Sequence, residues 1–125
     1  MRKHKNGVSG EIAAARYLRN RKYTILAGNY TTRFGEIDLI ACDKKYIVFI
    51  EVKTRAQNTI MLPRETVDQY KQAKIIKSAS LYLSQNKSEL QPRFDVIEIE
   101  TKSKFGFEIT RFHHLENAFG LKGYL

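Results

Sequence analysis

The strongest constraint on the fold lies in two short runs, Gly35-Glu36-Ile37-Asp38-Leu39-Ile40 and Phe49-Ile50-Glu51-Val52-Lys53-Thr54-Arg55. Each sets charged residues among β-branched and aromatic ones, where a buried strand would otherwise be apolar. Residues 43–46 between them are polar enough to turn, so the two runs predict an antiparallel hairpin. Side chains alternate across a strand, which puts Ile47, Phe49, Glu51 and Lys53 on one face. A two-residue turn at Lys44-Lys45 pairs Asp43 with Tyr46 and, counting outward, Asp38 with Glu51. A four-residue turn over Asp43 to Tyr46 keeps that register. Turning at Asp43-Lys44 instead pairs Asp38 with Phe49 and leaves Glu51 as a diagonal neighbour. A three-residue turn would send the two carboxylates to opposite faces, and Lys-Lys is a poor primed-turn sequence.

Such an arrangement is costly. Directly opposed side chains have Cβ atoms roughly 4.5–5.5 Å apart, and like charges there destabilise the pair. At an effective dielectric near 20, two unit charges at ~4 Å repel by about 4 kcal/mol. Lys53 offsets part of this, and a divalent cation would offset more. An oxygen-only acidic cluster suits Mg²⁺, with Mn²⁺ as a substitute, since Mg²⁺ commonly takes one or two carboxylates, waters and substrate phosphates. The ordinary alternative is a solvated hairpin face carrying cross-strand ion pairs. Against it stands the apolar run Tyr46 to Ile50, which fits a strand covered on both faces.

At 125 residues the chain is most simply one domain spanning 1–125, large enough to bury about two thirds of its surface. Lys and Arg number 22 against 13 acidic residues, a net charge of +9. This surplus favours a polyanionic partner, nucleic acid before an anionic membrane. The basic opening Met1-Arg2-Lys3-His4-Lys5 precedes no apolar stretch, so it does not read as a secretory signal. No segment approaches the ~18 apolar residues of a membrane span. Cys42 is the lone cysteine and can form neither an internal disulfide nor a metal knuckle. These features predict a cytoplasmic protein.

Along the chain, Gly7 to Asn20 predicts a helix with Val8, Ile12, Ala15 and Tyr17 or Leu18 near helical spacing. Tyr23 to Ala27 predicts a first strand ended by Gly28-Asn29, and the hairpin supplies the next two. Arg55 to Pro63 reads as a polar loop. A second helix is expected from Thr66, in a capping box with Gln69, to about Ser84, with Tyr70, Ile76, Ala79 and Leu83 as its apolar stripe. Arg93 to Glu100 is a fourth strand and Phe105 to Phe112 a candidate fifth. The order α-β-β-β-α-β, with the fourth strand after a helical crossover, predicts an α/β fold with a mixed sheet flanked by helices.

Other candidates carry ordinary readings as well as chemical ones. Glu11 borders the inward face of the first helix, and its spacing alone favours a first-turn acid stabilised by the helix dipole. A helix packed beside the hairpin would bring it to the metal as a third carboxylate. Glu36 shares a face with Asp38 under strict alternation, either as an auxiliary site residue or at the strand's solvated start. Asp95 reads as structural, paired with Arg93. Lys71, Lys74 and Lys77 usually would mean a solvated helix face. With Arg55 and Arg64 flanking the helix entry, they also make a credible phosphate-contacting surface, largely independent of base sequence. His113 and His114 would point apart on a strand and make a poor metal pair.

Gly10-Glu11 before an Ala-rich helix, Gly35 to Ile40, Phe49 to Arg55, and Arg93-Phe94-Asp95-Val96-Ile97 together resemble the YraN-like family of small bacterial proteins. That family is similar in turn to the PD-(D/E)XK nuclease superfamily, which includes restriction endonucleases and archaeal Holliday-junction resolvases. The resemblance implies a restriction-endonuclease-like core with Asp38 as the motif Asp and Glu51-Val52-Lys53 as the (D/E)XK element. It also implies Glu11 as the helix-borne acid, reversing the preference from spacing. Two departures stand out: Gly35-Glu36-Ile37-Asp38 replaces the Pro-Asp pair, and Thr59 to Pro63 lacks the glycine expected before the second helix.

The reading that follows is a Mg²⁺-dependent endonuclease, with DNA favoured over RNA and structured or branched DNA as one candidate substrate. Asp38, Glu51 and Glu11 would hold the metal, Lys53 would serve catalysis, and Arg55, Arg64, Lys71 and Lys74 would hold the nucleic-acid backbone. A symmetric homodimer would suit cutting two strands. The alternatives are a non-cleaving nucleic-acid-binding module of the same fold and a protein-interaction scaffold with a basic surface.

Overall fold

The computed structural model describes residues 5–57, 67–103 and 105–120, with side chains from residue 8 onward. Its elements are α1 (Lys5–Asn20), β1 (Thr24–Thr32), β2 (Gly35–Cys42), β3 (Tyr46–Ala56), α2 (Gln69–Gln85), β4 (Gln91–Thr101) and β5 (Ile109–Phe119). The strands form one sheet in the order β1-β2-β3-β4-β5. Only β3 and β4 run parallel, joined by the crossover through α2, so the sheet is mixed as expected. This α-β-β-β-α-β-β arrangement is consistent with a restriction-endonuclease-like core.

Asp43 makes the hairpin turn. Its Oδ1 accepts from the amides of Lys45 (2.8 Å) and Tyr46 (2.7 Å), and its own amide donates to the Tyr46 carbonyl (3.0 Å). This side-chain bracing holds a Lys44-Lys45 turn that backbone preference alone would not select. The resulting register runs from Cys42↔Ile47 to Leu39↔Ile50, which is the first of the registers expected from sequence.

Both faces of the sheet are covered. On one, Ala14 and Leu18 of α1 pack with Leu39, Ala41, Val48 and Ile50. On the other, Ile75, Ile76 and Ala79 of α2 pack with Ile40, Ile47 and Phe49. The apolar run in β3 therefore feeds two cores by alternation, which is why it carries no polar residue from Ile47 to Ile50. No helix among the described residues is long and apolar enough to cross a membrane.

Several sequence expectations are corrected. In α1, Val8 and Ile12 are exposed, while Glu11, Ala14, Ala15 and Leu18 are buried. The inward stripe is therefore rotated from the apolar spacing so that a carboxylate faces the sheet. The β1 strand does not stop at Gly28-Asn29 but continues through it to Thr32, because Asn29 adopts a left-handed φ of 51° inside the strand. Strand β3 extends over Arg55 and Ala56, which the sequence placed in a loop; the remainder of that loop, 58–63, lies outside the described residues. Thr66 also lies outside them, and α2 is capped by Asp68, whose carboxylate accepts from the Lys71 amide at 2.8 Å. Tyr70 is exposed rather than part of the buried stripe. Strand β5 begins at Ile109 and runs to Phe119, with Phe105 exposed before it.

Candidate metal centre

The site begins where the β2–β3 ladder ends. Continuing the register past Leu39↔Ile50 sets Asp38 across from Glu51, but no backbone pairing is made there. Instead Asp38 Oδ2 accepts the Val52 amide at 2.8 Å, so a carboxylate takes the place of a ladder carbonyl. Strand β2 also loses its alternation at this point. Ile37 packs in the cluster beneath α2, while Leu39, two residues on, packs in the cluster beneath α1. Strict alternation would have put both on one face. The partner strand keeps its register here, with Gly28↔Leu39 and Tyr30↔Ile37, but Asn29 between those pairs takes a positive φ.

This double irregularity gathers the acids. Glu11, Glu36 and Asp38 each present a carboxylate oxygen within 4.8 Å of the others, a spacing that could hold a metal ion. With its amide assigned so that the nitrogen faces the acids, the orientation that satisfies both groups, Asn29 bridges two of them, Nδ2 donating to Glu11 Oε1 (2.7 Å) and Glu36 Oε1 (2.9 Å). Gly10 is what allows Glu11 to reach them, because any Cβ at position 10 would collide with the Thr54 hydroxyl of β3. Glycine here lets α1 approach the sheet closely. A cavity of about 340 Å³ opens beside the cluster between α1 and β1, lined by Val8, Glu11, Ile12, Ile25, Asn29 and Leu39 among others.

Glu51, expected as a metal ligand, is met by cations. Its Oε1 lies 2.7 Å from Lys71 Nζ of α2 and 3.8 Å from Lys53 Nζ. Burial first, then the neighbouring Asp38 charge, push the Glu51 carboxyl above its ordinary value despite both lysines. Burial and the adjacent Lys71 ammonium push Lys53 down, against the pull of Glu51 and Asp38. For Lys71 burial acts downward, but attraction to Glu51 and their hydrogen bond carry it upward. Glu11, Asp38 and Glu51 are only 6%, 4% and 7% exposed, so these charges interact with little screening by water.

The structure thus brings Asp38, Glu11, Glu51 and Lys53 to one region, where β2 parts from β3. Lys71, read from sequence as a backbone-contacting lysine, reaches into that region. Lys74 stays exposed on α2, with its ammonium 4.5 Å from the Tyr70 ring centroid. Arg55 is half-buried on β3, and Arg64 lies outside the described residues. The sequence reading missed Asn29, because Gly28-Asn29 looked like a strand end. The tolerance of Asn for positive φ was the available signal. Glu36, held there only as an auxiliary residue, is a full member of the acid cluster.

A second polar cluster is structural. Asp95, fully buried in β4, accepts from Arg93 Nε (2.9 Å) and Nη2 (2.8 Å) and from the Asn117 amide (2.9 Å). His114 Nε2 lies 2.7 Å from its Oδ2, and the other His114 nitrogen meets the Tyr17 hydroxyl at 2.9 Å. The pairing of Asp95 with Arg93 was expected; the role of His114 was not.

The profile of the uncharacterised protein family UPF0102 matches residues 10–99, a span that runs from Gly10 to Ile99 and includes every acid of the site. A UPF0102 protein of Caldanaerobacter subterraneus subsp. tengcongensis is 46% identical over 114 residues, covering 90% of this chain and 93% of its own. One from Alkaliphilus oremlandii is 42% identical over 118 residues, covering 92% and 97%. One from Persephonella marina is 41% identical over 116 residues, covering 92% and 93%. By this extent of match the chain belongs to the UPF0102 (YraN-like) family.

Proposed function

We propose that this protein is a metal-dependent endonuclease that hydrolyses phosphodiester bonds in DNA, with structured or branched DNA as its preferred form. The observation that carries the reading is the convergence of the Glu11, Glu36 and Asp38 carboxylates beside Glu51 and Lys53, at the point where β2 stops pairing with β3. The donor set fits a hard divalent cation such as Mg²⁺, being all oxygen, acidic and confined within 4.8 Å. Glu11, Glu36 and Asp38 would hold it, with Glu51 available from the adjoining strand. When bound, such an ion supplies the Lewis acidity that polarises a phosphate and activates water.

The remaining residues have roles of their own. Val52 fixes the Asp38 carboxylate through its amide, and Asn29 fixes those of Glu11 and Glu36, so the acids are held in place before any ligand arrives. Lys53, pushed towards its neutral form by burial and by Lys71, can orient a water or share a proton with it. Lys71 can turn from Glu51 to a phosphate oxygen and stabilise the charge that develops there. The net charge of +9 supplies long-range attraction for a polyanion.

The test is cleavage of labelled linear, flapped and four-way DNA, and of matching RNAs, in Mg²⁺, Mn²⁺ or EDTA. Wild type should cut only with metal, and Asp38→Asn and Glu11→Gln should reduce cutting at least a hundredfold. A second reading, a non-cleaving nucleic-acid-binding module, draws on the closed Glu51–Lys71 ion pair, which balances that carboxylate without a metal. Metal-independent binding with no cleavage of any substrate, unchanged in Asp38→Asn, would favour it.

A further inference from the structure

The turn between β1 and β2 does not project freely. The Thr32 hydroxyl donates to the Gly35 carbonyl (3.1 Å), accepts the Phe34 amide (3.0 Å) and is hydrogen-bonded to Ser78 of α2 (2.8 Å). Ser78 is fully buried, so this contact pins the turn onto α2. The pinned turn presents Phe34 with the Arg33 guanidinium 4.8 Å and the Lys77 ammonium 5.8 Å from its ring centroid. Along the same exposed face of α2, Lys74 lies over Tyr70, which is 72% exposed. Tyr70, Lys74 and Lys77 are spaced i, i+4 and i+7 and so line one face. The surface is continuous with the acid site at both ends, since Gly35 precedes Glu36 and Lys71, next to Tyr70, contacts Glu51.

Rings with cations beside them are not needed for duplex binding, which lysines and arginines achieve through phosphates alone. Surface aromatics with mobile cations lying over their rings match a strand whose bases are unstacked, each long cation swinging from its ring to a phosphate as a base takes its place. A half-buried ring costs little conformational freedom on binding, and this one is held by a buried hydroxyl pair.

We infer that Tyr70 and Phe34, with Arg33, Lys74 and Lys77, form a binding platform for unpaired nucleotides flanking the acid site. The substrate class is then single-stranded nucleic acid, or the single-stranded arm of a flapped or branched one, rather than uninterrupted duplex. The inference rests on the endonuclease reading for its connection to chemistry, though binding to the platform can be measured without cleavage.

The experiment is fluorescence anisotropy in EDTA, using labelled strands of equal length. These are a single-stranded DNA, the matching RNA, the DNA duplex and an abasic strand that keeps every phosphate. Wild type should bind the base-bearing single strands about fivefold or more tightly than the abasic one. Tyr70→Leu should erase that difference while leaving duplex affinity within twofold, and its exposed position removes any question of misfolding. Lys77→Gln should weaken all four ligands and flatten the salt dependence. The ratio of DNA to RNA affinity assigns the sugar. Equal binding of abasic and base-bearing strands, or an unaltered preference in Tyr70→Leu, overturns the platform, as does failure to bind any strand. Metal-dependent cutting of single-stranded or flapped DNA that Tyr70→Leu leaves untouched would overturn it while sparing the endonuclease reading. Selective single-strand binding without cleavage in any metal would do the reverse.

Discussion

Lys71 of α2 holds Glu51 of β3 at 2.7 Å, so the carboxylate of the expected (D/E)XK element is joined to the helix on the far side of the crossover. On the opposite helix, Glu11 reaches the same part of the sheet to meet Asp38 and Glu36. Two helices on opposite faces thus deliver charge to the place where one pair of strands separates. This relationship sets the behaviour expected of the site.

Acids within 4.8 Å of one another repel when no cation is bound. At an effective dielectric near 20 this repulsion is a few kcal/mol at most, reduced by the Asn29 hydrogen bonds. Neutralising one should therefore raise metal-free stability by roughly 1 kcal/mol, within the same dielectric argument. Thermal unfolding in EDTA should show Glu11→Gln and Asp38→Asn melting above wild type. Added Mn²⁺ should stabilise wild type by about 2.7 kcal/mol at a hundred times its dissociation constant, and the two variants far less. A lower metal-free melting temperature in both variants would count against the cluster's being strained.

Gly10→Ala places a methyl group against the Thr54 hydroxyl, so Thr54 must turn its hydroxyl aside or α1 must move away from β3. Overpacking of this kind costs about 1–3 kcal/mol, to be read from urea denaturation. Because Glu11 rides on the same turn, the Mn²⁺-dependent stabilisation should fall as well. Loss of stability with an unchanged metal response would show that Glu11 is not positioned by this approach.

Asp95 makes its contribution to stability in a definite pH range. Burial alone would raise its pKa, but the hydrogen bonds from His114, Arg93 and the Asn117 amide outweigh it and hold the carboxyl below the ordinary value. A carboxyl depressed in the folded state stabilises above its unfolded pKa, near 3.9, and that stabilisation fades as pH falls through the lower folded value. Between about pH 5 and 2, wild type should lose stability with a slope that Asp95→Asn lacks. At neutral pH, Asp95→Ala should cost about 3–5 kcal/mol, since it leaves the buried Arg93 without its bidentate carboxylate, with only the Tyr23 hydroxyl and a 3.9 Å approach to Glu116 remaining.

Helix α1 ends in a Schellman arrangement, with the Tyr23 amide donating to the Leu18 carbonyl and the Lys22 amide to the Arg19 carbonyl, both at 3.0 Å. Lys22 occupies the left-handed position at φ 69°, where glycine carries no Cβ penalty. Lys22→Gly should leave stability unchanged or raise it by up to about 1 kcal/mol in chemical denaturation, whereas Lys22→Val should lower it by a similar amount.

The sequence alone specified the hairpin but left its register among several turns, and the structure selects one of them through the Asp43 side chain that braces Lys44-Lys45. The sequence also specified the mixed sheet, since a helix between β3 and β4 compels a crossover. Asp38, Glu51 and Lys53 were legible as a group because they interrupt a strongly apolar neighbourhood at strand spacing. What tertiary structure decided was which charges meet. The apolar spacing of α1 pointed Val8 and Ile12 inward, yet the close approach at Gly10 rotates the helix and buries Glu11. Alternation could not foresee the break between Ile37 and Leu39, nor the positive φ of Asn29 across from it in another strand. Nor could the lysine row on α2 reveal that Lys71 turns to Glu51 while Lys74 stays with Tyr70. Local pattern determines strands and faces because it is set by neighbours in sequence. The grouping of charges is set by how separate elements pack, and that is a property of the assembled fold.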